Sequence, residues 1–153
     1  MATSFVAVYD AFLARITADE WTLEEDLAIV KRDWQELLKM AIFRFKYPRI
    51  SLEYEEIDDS TEQFVNELTN DEIQLLAIYM KHEWVKRCIA SWENIRQLYA
   101  DKDFSQANHL AKLVQYEASL QLEVKKAEGI YDRSRKKRPA DLFKKMAGKK
   151  NAI

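Results

Sequence analysis

The chain has 153 residues, of which 48% are hydrophobic, 33% charged and 12% aromatic, with a net charge of −2. That length fits one domain able to bury ~70% of the surface its unfolded state exposes, and the composition excludes a disordered chain. Two glycines, two prolines and one cysteine argue against turn-rich β architecture and exclude an internal disulfide.

From Ser4, the residues Phe5, Val8 or Tyr9, Phe12 and Ile16 stripe one face of a short helix that ends near Asp19. Thr22 and Glu25 then have the spacing of a capping box, in which side chain and backbone satisfy each other at a helix start. Leu27, Val30, Trp34, Leu37, Leu38, Ala41 and Phe45 carry a second helix, which must stop before Pro48 because proline disfavours a helical residue ahead of it. Ile50, Leu52 and Tyr54 alternate with Ser51, Glu53 and Glu55, so a short extended arm is expected near residues 50–57. An isolated strand is unstable, and the sequence leaves open whether this one pairs with "EQFVNEL" or with another copy of the protein.

Thr69 and Glu72 repeat the capping signal and open the longest element, striped by Ile73, Leu76, Ala77, Met80, Trp84, Cys88, Trp92, Ile95 and Tyr99. The pattern breaks at Asp101 to Phe104. Ser105 then stands as an N-cap, with Asn108 placed to reach back, and Leu110, Leu113, Val114, Leu120, Val124, Ile130 and Tyr131 mark a fourth helix. Gly129 lies near its end, where the helix either frays or runs on. Long helices joined by a few residues fold back on each other. The expected fold is therefore an all-α helical bundle built on an antiparallel hairpin (about 69–100 and 105–132), with two amino-terminal helices packed against it.

Charge divides the chain into a single helical domain, residues 1–132, and a basic tail, residues 133–153. The tail carries nine Lys or Arg against one Asp, a net +8, which leaves −10 on the remainder. Screening over ~8 Å at physiological salt lets a partner feel the two regions separately. The cations are Arg133, Arg135, Lys136, Lys137, Arg138, Lys144, Lys145, Lys149 and Lys150, and Leu142, Phe143 and Met146 form a small apolar turn among them. This segment is the candidate partner-binding site. It has the chemistry to grip phosphate non-specifically, or to dock on an acidic protein surface with Leu142, Phe143 and Met146 as anchors, and the ordinary alternative is a solubilising disordered end.

Candidate catalytic chemistry is thin. "HEWVK" begins like a zinc-protease motif, but position 86 is Lys86, and Cys88 is too far round the helix to be a co-ligand; His82 is expected as a partly exposed helix-face histidine. His109 has Asp103 and Ser105 near it in sequence, but capping accounts for the serine without a triad. No glycine precedes Gly129, so a glycine-rich phosphate loop cannot be built, and the acidic clusters lack the spacing of a calcium loop. No enzyme, metal or cofactor is expected. Cys88 is expected as a small buried hydrophobe of a protein made in a reducing cytoplasm, with neither leader peptide nor membrane span. Trp34, Trp84 and Trp92 fall on the helical stripes, which makes them core residues first, and they are large enough to serve as anchors of a homo-oligomer interface as well.

Leu68, Thr69, Glu72, Leu76, Ala77, Met80 and Trp84, followed by "DFSQANHL" at residues 103–110, resemble a pattern in the head-tail connector proteins of tailed bacteriophages. These are also called neck, adaptor or head-completion proteins. The match spans about residues 65–120. It implies a helical virion subunit, made in the host cytoplasm, that assembles as a dodecameric ring beneath the portal. Such a ring extends the DNA channel and offers a docking surface to a tail or stopper protein, and contact with channel DNA would be non-specific. The basic tail would suit an acidic portal surface. The other class to weigh is a non-enzymatic cytoplasmic nucleic-acid-binding accessory protein using the same tail.

Overall fold

The computed structural model describes residues 2–16, 27–58, 61–98 and 104–135. Its elements are α1 (Phe5–Arg15), α2 (Leu27–Arg44), β1 (Tyr54–Asp58), β2 (Thr61–Phe64), α3 (Asn70–Leu98) and α4 (Phe104–Arg135). The protein is mainly helical, with one small sheet that the all-α expectation did not include. The expected caps Thr22 and Glu25, and Asp19, lie outside the described residues.

Ser4 starts α1 by accepting a hydrogen bond from the Val6 amide at 3.2 Å. The helix ends at Arg15, several residues earlier than the spacing predicts, because Ile16 turns to extended backbone and donates its amide back to Leu13. Phe5, Val8, Tyr9, Phe12 and Ile16 are all buried, so the striped face is the core face. In α2, Leu37, Leu38 and Ala41 are fully buried, and the helix stops at Arg44, ahead of Pro48.

The extended arm pairs within its own chain. β1 runs antiparallel to β2, with Tyr54 opposite Phe64 and Glu55 opposite Gln63. β2 is held on its other side by the amino terminus: the Phe64 amide donates to Thr3 O at 2.8 Å, and Ser4 bridges Gln63. Rings from all three segments close this corner, with Phe5 4.8 Å from Phe64 and 5.4 Å from Tyr54 between centroids.

α3 is the central element and packs against α1, α2 and α4. Leu75, Leu76, Ala77, Ile78, Tyr79 and Met80 are consecutive and all buried, which an element covered on several sides requires. Contacts between α3 and α4 run Glu72 to Tyr131, Tyr79 to Glu128 and His82 to Glu117, so the hairpin is antiparallel as expected. At ~1.5 Å per residue, α3 is roughly 44 Å long and α4 roughly 48 Å.

One boundary differs from expectation, and one left open is decided. α4 begins at Phe104, so Ser105 is its second residue and not its cap; Asp101 to Asp103, where a cap would fall, lie outside the described residues. At the other end the helix passes through Gly129 to Arg135. The start of the basic tail is therefore helical. Among the described residues no helix is long and apolar enough to cross a membrane.

Candidate functional site

Polar side chains are concentrated where α4 closes on α2 and α3. Glu72 makes its half of the predicted capping box: its Oε2 accepts from the Thr69 amide at 3.0 Å, and the Thr69 hydroxyl donates to the same oxygen. The same carboxylate also accepts from the Tyr131 hydroxyl at 2.9 Å and lies 3.7 Å from Arg49 Nε, while being wholly buried. Tyr131 Oη in turn accepts from the Arg49 amide at 2.8 Å, and the Arg49 guanidinium lies 4.4 Å from the Tyr131 ring centroid. One cap residue thus ties the start of α3 to the end of α4 and to the turn after Pro48.

A second tie corrects the sequence reading of His82. The ring is only 1% exposed, held between Arg44 Nη1 at 2.7 Å from Nδ1 and Glu117 Oε1 at 2.7 Å from Nε2. A guanidinium can only donate, so Nδ1 accepts and Nε2 carries the proton given to Glu117. The neutral tautomer joins α2, α3 and α4 in one line. The reason for burial is a second apolar stripe on α3, Leu75, Ile78, Val85 and Ile89, into whose spacing His82 falls. Tyr79 donates to Glu128 at 2.8 Å; burial first, and this bond second, push its phenol well above the ordinary range.

A cleft of about 330 Å³ lies beside these ties, bordered by Arg44, Lys46, Tyr47, Tyr79, Glu128, Tyr131 and Asp132 among others. Arg44, Tyr79, Glu128 and Tyr131 spend polar atoms on protein partners here, so the cleft lies on the seam between α2, α3 and α4. Among the described residues no group of three His, Cys, Asp or Glu side chains is placed to share a metal ion.

The outer surface of α2 has the opposite character. Phe43 is 93% exposed and Tyr47 68%, with Met40 one turn away at 43%. Together with Lys39, Arg44, Lys46, Lys86 and Glu83, Met40 and Phe43 line an open groove of about 670 Å³. The chain presents an aromatic ring to solvent inside a cationic rim. α4 adds Leu122, 68% exposed, and Val114, 46%, on a side that α3 does not cover.

The predicted tail site is only partly within view. Arg133 is exposed on the last turns of α4, with its Nε 3.1 Å from Gly129 O, and Arg135 is the final residue of that helix. Lys136, Lys137, Arg138, Leu142, Phe143, Lys144, Lys145, Lys149 and Lys150 lie outside the described residues. So do the side chains of Trp92 and His109. Trp34 and Trp84 are packed partly buried against the core, as their place on the stripes implies, and the most exposed ring among the described residues is that of Phe43. Cys88 is half-buried. Phe43 had a readable signal: it sits nearly opposite the Leu37, Leu38, Ala41, Phe45 stripe on a helical wheel. Comparison with protein-family models, with curated proteins and with solved structures finds no match to this chain.

Proposed function

We propose that the chain is a structural subunit of a tailed-phage virion: a head-tail connector that assembles as a ring between portal and tail, extends the DNA channel and supplies a docking surface. The observation that carries this reading is the α3–α4 hairpin. α4 is covered by α3 on one side, leaves Val114 and Leu122 exposed on another, and leads through Arg133 and Arg135 directly into the basic run. In a ring, the uncovered side of α4 is where a neighbouring subunit would pack, and the charged segment that follows the helix would reach a partner above or below. No residue is assigned a catalytic role.

The test is electron microscopy of the full chain mixed with its cognate portal, beside a variant ending after Arg135, which keeps α4 and Tyr131 intact. The full chain is expected to give a ring seated on the portal, and the shortened chain is expected to lose the attachment. Attachment that survives the truncation contradicts the role given to the tail. Retention on DNA that falls with salt, with no ring on the portal, supports the nucleic-acid accessory reading instead.

A further inference from the structure

We propose that the Phe43 groove is the acceptor for the acidic β1 strand of a second copy of this chain. The inference rests on the homo-oligomeric reading above and names the surfaces that would join the subunits. On the acceptor side, Phe43 and Met40 are exposed and apolar, and Lys39, Arg44, Lys46 and Lys86 outweigh the single carboxylate of Glu83. The donor must then be apolar at its centre and acidic at its edge.

The β1 segment has that make-up. Residues 53–62 contain six Asp or Glu and no Lys or Arg. Within it Glu53, Glu55 and Glu56 are exposed, and Ile57 is 51% exposed among them. Among the described residues β1 pairs on one side only, with β2, whereas β2 is also held by residues 3 and 4. An open strand edge carrying this much negative charge repels a second copy of itself and favours a cationic partner. Within one chain Lys39 already faces this sheet, 3.0 Å from Glu62 and 5.7 Å from the Tyr54 ring, yet Phe43 one turn on is left uncovered. The chain's own hairpin does not fill the groove. A contact between two different surfaces of identical chains is the kind that propagates around a ring.

Charge exchange tests this with the full chain alone, free of portal and DNA, by sedimentation at increasing protein concentration. Lys46→Glu with Lys86→Glu takes the groove lining from a net +3 to −1, and Glu55→Lys with Glu56→Lys takes the exposed residues 53–57 from −3 to +1. Each pair is expected to weaken self-association by at least about tenfold, because like charges then face each other. An equimolar mixture of the two variants is expected to assemble again, since each donor then meets an acceptor of opposite sign. All four positions are exposed, and the contacts they give up, Glu55 with Gln63 and Lys86 with Glu83, are surface ones, so circular dichroism melts should stay close to the parent and exclude misfolding as the cause. A parent chain that stays monomeric overturns the proposal, as do reversals without effect or a mixture that fails to recover. Self-association that obeys the exchange while portal attachment is absent upholds this interface and rejects the connector reading; the reverse result rejects the interface alone.

Discussion

The seam between α3 and α4 and the outer surface of α2 invert the usual distribution of residue types. At the seam the protein buries polar groups: Glu72 is fully enclosed with partners from three segments, and the neutral His82 is 1% exposed with partners on two helices. On α2 it exposes hydrophobe, with Phe43 at 93%. Buried polar groups with matched donors fix which turn of one helix meets which turn of another, because a slip would strand them without partners. Exposed apolar groups contribute nothing to that register. The contrast separates residues that hold the subunit together from those available to join it to something else.

If the seam holds the subunit, its residues should dominate stability. Glu72→Ala removes the cap and leaves Arg49 and the Tyr131 hydroxyl without their shared acceptor; a loss of about 3–5 kcal/mol in urea unfolding is expected. His82→Ala should follow at about 2–4 kcal/mol, combining a cavity with the stranded Arg44 and Glu117 groups. Tyr131→Phe keeps the ring packed 5.2 Å from Phe45 and deletes only the hydroxyl, so about 1–2 kcal/mol is expected. A result for Tyr131→Phe as large as that for Glu72→Ala would show the hydroxyl, not the carboxylate, to be the hub.

Alkaline pH probes the same region more gently. Burial pushes the phenols of Tyr9 and Tyr79 upward, with the negative charge of Glu62 adding to the first and the bond to Glu128 to the second. The folded state therefore favours the neutral phenols. Their contribution is fully present below the unfolded value of ~10 and is lost as pH rises above it, by about 1.4 kcal/mol per pH unit for each group that stays neutral. Melting temperature followed from pH 8 upward should hold and then decline above pH ~10. A decline that begins well below that value would point to other groups.

The helices and their inward faces were legible because periodicity reports burial whenever an element has one covered side. Phe5, Val8, Phe12, Leu37, Leu38 and Ala41 follow that rule. α3 does not, since covering on several sides buries consecutive residues and hides a histidine that a single-stripe reading leaves outside. The sheet was legible in part: the alternation of β1 and a candidate partner in "EQFVNEL" could be read, but the choice of that partner over another copy, and the grip of the amino terminus on the four-residue β2, are long-range contacts no local pattern encodes. Glu72 was legible as a cap and not as a hub, because its links to Arg49 and Tyr131 span 23 and 59 residues of sequence. The tail was legible as charge.

The most direct test of the division between a seam that holds and a face that joins is Phe43→Ser, read in two ways on the full chain. Unfolding at low protein concentration should change by less than about 0.5 kcal/mol, since the side chain is already in water. Sedimentation at high concentration should shift from an assembled species to the monomer. Early unfolding of this variant, or an assembly that persists unchanged, would contradict the account.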